Sequence, residues 1–201
     1  MFKLEAVNCK NCGSGLVVEV NDNIVYCSSC GSGFEIIGDE MVPVEINFAN
    51  PAFRENAETV YKPFWYIKSH IDILERTSSG GFFSKVFGAK NENSFDMLFY
   101  IPAFYCPVES MKNLAQGFTA KNPVASPQKY NVKLTGFAYG KEDAKKLCEF
   151  ILISFEAEKS DTVKTFKYQI NYQSLEILGV PFYNKGNGVF KDAVLGIEFR
   201  I

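Results

Sequence analysis

The pattern C-x-x-C-G-S-G occurs twice near the start of the chain, at Cys9–Gly15 and again at Cys27–Gly33. Nothing else in the 201 residues restricts the fold as strongly. Each unit makes a tight turn that aims two sulfurs at one point. Gly13 and Gly31 stand where such a turn needs a permissive backbone, and the N–H groups that follow can hydrogen-bond the sulfurs. Fourteen residues separate Cys12 from Cys27. They read as two short strands, Leu16–Val20 and Ile24–Tyr26, joined by the turn formers of "NDN". A third strand, Phe34–Ile37, follows the second unit.

Two knuckles clamped by a hairpin make a tetrahedral all-thiolate site, which suits Zn(II) best. Residues 9–37 resemble a zinc ribbon of the kind found in basal transcription factors and in many bacterial proteins. That resemblance implies one structural zinc on Cys9, Cys12, Cys27 and Cys30. The knuckles are also similar to rubredoxin, whose four-cysteine site carries iron for electron transfer, so iron is the alternative ion. Ser28 stands where that family places a proline, and its cysteine pairs are more widely spaced than those here. Catalytic zinc keeps an open position for water or substrate. Four cysteines close the shell, and the expected role is structural.

Charge argues against the simplest nucleic-acid reading. The net charge is −2, and phosphate contacts need a positive face. Within residues 1–38, Lys3 and Lys10 face Glu5, Glu19, Asp22 and Glu35. The opening "MFKLEAVNCKNC" has no apolar h-region, so no secretory signal is expected. No apolar run approaches the roughly 18 residues of a membrane helix. Reduced thiols belong inside the cell, and the expected compartment is the cytoplasm.

The chain as a whole is rich in Phe (19) and Tyr (10), residues that fit half-buried pleated surfaces. Three divisions are expected: the ribbon at 1–38, a connector at 39–60 with one short strand around Val44–Phe48, and an aromatic-rich domain at 61–201. Period-two alternation at Phe64–Leu74 puts Trp65, Ile67, Ile71 and Ile73 on one face, interrupted by Ser69, with Lys68, His70 and Asp72 on the other. A turn at 78–81 and a buried strand at 95–105 follow. Pro107 can open a short helix carrying Val108, Met111, Leu114 or Ala115, and Phe118. A strand is expected from Tyr130 toward Phe137. The clearest helix is Glu142–Glu158, in which Ala144, Leu147, Cys148, Ile151, Leu152 and Phe155 form a core-facing stripe that Phe150 and Ile153 widen. Thr165–Tyr172, Leu175–Phe182 and Val194–Ile201 read as strands, the last two linked through "NKGNG". The expected class is α+β, a mainly antiparallel sheet with two helices behind the four-cysteine ribbon.

One echo recurs: "YKPFWY", "YIPAFY" and "GVPFYN" each put a proline (Pro63, Pro102, Pro181) beside aromatics. Proline lacks a ladder donor and belongs at strand starts, edges or bulges. The echo reads as strand boundaries, as a degenerate duplication, or as one ligand surface. The ribbon followed by "PFWY" resembles bacterial zinc-ribbon proteins with a β-rich second domain, a likeness that brings no activity with it.

No catalytic constellation emerges. His70 is the single histidine and reads as a solvated surface residue. Cys148 lies on a buried helix stripe. Cys106 sits near a helix start, where a thiol pKa can fall, and could pair with His70. From Ser110 to Lys141 there is no acidic residue. Lys112, Lys121, Lys129 and Lys133, interleaved with Tyr130, could present a basic and aromatic surface to single-stranded nucleic acid. The absence of arginine there weakens that reading. The function expected first is non-enzymatic: an adaptor, assembly or structural subunit that contacts a protein partner or its own copies. A nucleic-acid-binding regulator and a rubredoxin-like electron carrier are the alternatives.

Overall fold

The computed structural model of the chain describes residues 7–18, 22–38, 40–76, 93–123, 132–134, 136–157 and 165–201. Near the N-terminus, β1 (Ile24–Tyr26), β2 (Gly33–Ile37) and β3 (Glu40–Val44) form a three-stranded antiparallel sheet in the order β1-β2-β3. Leu16 to Val18 are not in a strand; that part of the first knuckle closes through an isolated bridge between Asn8 and Gly15. The stretch expected as a connector with one strand holds β3 and also β4 (Ile46–Phe48). β3 widens the cysteine-bearing sheet, whereas β4 leaves it and pairs in parallel with a strand near the C-terminus.

The second sheet is built on two long antiparallel strands, β5 (Glu58–Arg76) and β7 (Phe166–Gly186). β6 (Ser94–Pro102) flanks β5, and β8 (Val189–Asp192) and β9 (Glu198–Arg200) continue outward from β7. Among the described residues, two helices, α1 (Val108–Lys121) and α2 (Lys141–Ala157), complete an α+β fold with mostly antiparallel sheets. Two strands expected at the C-terminus are one. The polar pair Gln173–Ser174, which reads as a break, is a bulge: the partner of Lys68 is Ser174 and that of Ser69 is Tyr172. An extra residue bends a strand without ending it. The expected Val194–Ile201 strand is shorter, because Val194 and Leu195 are held in a turn by the Asp192 carboxylate, which accepts their N–H groups and that of Ile197. Between Tyr130 and Phe137 the described residues contribute one bridge, Leu134 to Tyr61. The turn expected at 78–81 lies outside the described residues.

Strand alternation sorts the side chains into two cores. Trp65, Ile67, Ile71 and Ile73 join Phe99, Ile101 and Ile177 in one, covered by Ala144, Cys148, Ile151, Leu152 and Phe155 of α2. Ser69 interrupts this face at 1% exposure and is satisfied by donating to the Met97 carbonyl at 3.1 Å. Phe64, Tyr100, Leu178, Val180 and Phe182 face the other core, against Met111, Leu114 and Phe118 of α1. On α2 the stripe is narrower than expected, since Phe150 and Ile153 are exposed.

The prolines obey the ladder. Pro63 opposes Gly179, and Pro181 opposes Tyr61. The Pro63 carbonyl accepts Ala103 N–H, the Gly179 carbonyl accepts Ala49 N–H, and the Pro181 carbonyl accepts Ala193 N–H. These groups all point away from the β5–β7 seam, so the missing proline donors cost that seam nothing. Pro102 ends β6 opposite Phe64. The proline–aromatic echo thus marks ladder positions where no N–H is required, with Phe64, Trp65, Phe104 and Phe182 beside them in the cores.

The cysteine-bearing sheet is seated on this scaffold. Ile24 and Tyr26 enter the first core, and the Tyr26 ring meets Phe48 edge-on at 5.3 Å. The Asp22 carboxylate accepts N–H from Gly136 at 3.0 Å and from Phe137 at 2.7 Å.

Candidate metal centre

The two C-x-x-C-G-S-G units fold into near-identical turns. Cys9 N–H donates to the Ser14 carbonyl and Gly13 N–H to the Cys9 carbonyl; Cys27 with Ser32, and Gly31 with Cys27, repeat both bonds, all at 2.8 Å. Gly13 and Gly31 have φ of 75° and 74°, which an L side chain rarely adopts. The last glycines differ. A Cβ on Gly15 would meet nothing within 4 Å, while one on Gly33 would fall 2.4 Å from Ile46 Cδ1 and 2.8 Å from the Val44 carbonyl. The second knuckle therefore sits hard against the chain entering β4.

These turns bring Cys9, Cys12, Cys27 and Cys30 together, with all four sulfurs within 4.8 Å of one another. Cys9 and Cys30 approach to 3.6 Å, as do Cys12 and Cys27. Sulfurs at about 2.3 Å from a tetrahedral ion lie about 3.8 Å apart, while a disulfide needs about 2.05 Å. The spacing is that of ligands, and all six cysteines of the chain are free. Among the described residues, no other group of three or more His, Cys, Asp or Glu side chains converges in this way. The group can hold one metal ion, with Cys9 and Cys27 buried, Cys30 half-buried and Cys12 exposed.

The serine of each unit has a role that the sequence pattern conceals. Ser14 Oγ lies 3.3 Å from Cys12 Sγ, and Ser32 Oγ lies 3.2 Å from Cys30 Sγ. Asn11 Nδ2 ties the knuckles together, donating to Ser32 Oγ at 3.1 Å and to Cys30 Sγ at 3.6 Å. The Ser32 hydroxyl, then the Asn11 amide, bring the Cys30 thiol down to about 6. The Ser14 hydroxyl lowers Cys12 in the same manner. Burial pushes Cys27 up to about 11. Hydrogen bonds that favour thiolate suit metal ligation, and such outer partners orient the ligands.

The remaining candidate residues are scattered. Lys112 and Lys121 both lie on α1, half-buried and exposed respectively. Nine residues at about 100° each place them on opposite sides of the helix. Lys133 lines a cleft beside β5, and Lys129 and Tyr130 lie outside the described residues. Cys106 is buried at 4% exposure, and burial pushes its thiol up to about 11, the reverse of an activated cysteine.

His70 has partners that the sequence reading missed. Its Nδ1 lies 2.6 Å from Asp96 Oδ1 and its Nε2 lies 2.7 Å from Ser94 Oγ. Those distances match a Ser–His–Asp triad, but the protons run the other way. Ser94 donates its hydroxyl proton to Asp72 at 2.6 Å. With that proton engaged by a carboxylate, the serine is not set to give it to the ring, unlike the serine of a nucleophilic triad. The signal that could have found the cluster is register: His70 opposes Asp96, and Asp72 opposes Ser94.

Among the described residues, no helix is long and apolar enough to cross a membrane. No protein-family model matches the chain, and neither a curated protein nor a solved structure does.

Proposed function

We propose that the protein is a zinc-ribbon protein that carries out no reaction of its own and acts as a structural, adaptor or assembly subunit through protein–protein contacts. The observation that carries this reading is the closed group of four cysteine sulfurs, 4.8 Å across at most. A site saturated by four thiolates has no position for water or substrate, and the free energy of metal binding becomes folding free energy. The resident ion in this reading is one Zn(II) per chain, and the compartment is the reducing cytoplasm. The metal holds the three-stranded sheet in shape, and the sheet is fixed to the larger scaffold through Asp22, Ile24 and Tyr26.

Metal analysis of purified protein together with affinity capture from the native host tests the proposal. About one zinc per chain is expected, with a partner whose capture is lost in Cys27→Ser. Red, iron-containing protein would favour an electron carrier instead. Salt-sensitive binding to DNA or RNA that disappears on replacing Lys121, Lys129 and Lys133 would favour a nucleic-acid regulator.

A further inference from the structure

The two knuckles are alike in their internal hydrogen bonds and unlike in what anchors them. The second is built into the sheet: Cys27 follows β1 directly, and Gly33 opens β2 and abuts Ile46 and the Val44 carbonyl. The first has no strand of its own. Its backbone bonds, Cys9 to Ser14, Gly13 to Cys9 and Leu16 to Val7, all stay within residues 7–16. Among the described residues, no backbone hydrogen bond joins that span to β1, β2 or β3. Leu16 and Val18 rest against the small cysteine-centred cluster, and two polar side chains reach across. Lys10 Nζ donates to the Met41 carbonyl at 3.3 Å, while Asn11 Nδ2 donates to Ser32 Oγ at 3.1 Å and to Cys30 Sγ at 3.6 Å. The matching positions of the second knuckle hold Ser28 and Ser29, so this latch is one-sided and is no product of the repeat.

We propose that Asn11 is the positioning residue of the metal centre, holding Cys9 and Cys12 against the anchored pair Cys27 and Cys30 and setting how fast a bound ion escapes. The inference rests on the zinc reading of the four cysteines and assigns control of that site to a side chain outside the ligand set. Two of the four ligands sit on a span with no backbone tie to the rest, so that span is the one that must open when the ion is lost. Of its two polar ties, Lys10 holds by the tip of a long chain that is costly to order. Asn11 touches the centre itself. Its amide carries two N–H groups and serves both the Cys30 sulfur and the Ser32 hydroxyl, which lies 3.2 Å from that sulfur. A neutral donor on a thiolate favours the ligating form and orients it, and outer partners of this kind change metal affinity by about 10–100-fold. A carboxylate in the same place would offer no donor and would set a negative charge against the sulfur.

The test loads the full chain with Zn(II) and strips it with excess chromogenic chelator at fixed pH, with Asn11→Ala and the isosteric Asn11→Asp beside the parent. Asn11 is exposed, so both variants should fold, and amide protection across β5 and β7 should match the parent. Zinc should leave each variant at least about tenfold faster, with affinity lower by about 10–100-fold. Co(II) in place of zinc supplies a readout that a merely structural role would not move. Loss of the N–H on Cys30 makes that sulfur a stronger donor, so the sulfur-to-cobalt charge-transfer band should shift to longer wavelength. Release from Asn11→Ala as slow as the parent's, an Asn11→Asp variant that keeps parental release, or an unmoved cobalt band would each overturn the inference while leaving the zinc reading standing. A parent that takes up neither zinc nor cobalt would sink the zinc reading, and the role of Asn11 with it.

Discussion

Glu35 in β2 accepts the backbone N–H of Lys141 at 3.3 Å and faces the ammonium of the same residue at 3.6 Å. One carboxylate of the cysteine-bearing sheet thereby serves the first residue of α2. The Lys141 side chain is substantially exposed, so its ion pair contributes little. The N–H contact, made by a carboxylate that is itself 7% exposed, matters more. Glu35→Ala should destabilise the protein by about 1–3 kcal/mol, read as a lower denaturant midpoint. Glu35→Gln, which keeps an acceptor oxygen, should lose less than half as much; equal losses would place the stabilisation in the charge.

The two last glycines of the repeats make a paired comparison. Gly33→Ala must push the Ile46 side chain and the Val44 carbonyl aside, and overpacking of this kind costs about 1–3 kcal/mol. Gly15→Ala enters open space and should stay within about 0.5 kcal/mol of the parent. Urea titration of both variants decides it. A Gly15→Ala variant as damaged as Gly33→Ala would contradict the close approach of β4.

Removal of the metal should act locally first. A strong chelator, or Cys27→Ser, leaves the small cluster of Val25, Phe34 and the cysteines without its centre. Amide exchange should rise across β1, β2 and β3, while the β5–β7 seam keeps most of its protection. Loss of protection throughout the chain at once would mean that the ion supports both sheets.

The single histidine permits a clean titration by NMR. The hydrogen bond to Asp96, then the Asp72 charge, hold His70 above its ordinary 6.5. A group whose folded pKa is raised stabilises the fold below its unfolded pKa and loses that contribution as pH rises through the folded value. Stability should therefore decline slightly as pH climbs above about 6.5. Asp96→Asn should bring the His70 midpoint down and flatten that slope; an unchanged midpoint would remove Asp96 as the cause.

Much of the fold was legible where side-chain periodicity is governed by one neighbouring layer. The Trp65–Ile73 face and the Ala144–Phe155 stripe were found in that way, and the gathering of Cys9, Cys12, Cys27 and Cys30 was legible from the repeated C-x-x-C spacing. Errors arose where a local signal is overridden by long-range pairing. Gln173–Ser174 reads as a break, yet an antiparallel partner on β5 carries the strand through it. Val194 and Leu195 read as strand, yet the Asp192 carboxylate captures their amides. Phe150 and Ile153 read as widening the stripe of α2, but at about 100° per residue they fall on the far side of the helix from Ala144, Cys148 and Phe155, and both are exposed. The serines of the metal centre were visible as a repeat, but their contact with sulfur follows from a turn geometry that spacing alone does not specify.

The pairing of β5 with β7 also has a consequence for how the chain is made. Glu58 meets Asn184, 126 residues further on. At about 5–20 residues per second, synthesis must run on the order of ten seconds before β5 finds its full partner. For that interval Phe48, Phe64 and Trp65 have emerged without the strand that will cover them. The cysteine-bearing turns face no such delay, since their ligands are complete at Cys30. The nascent chain can close its metal-holding end early and leave its aromatic strands waiting, which makes the period before β7 appears the one in which a chaperone would matter most.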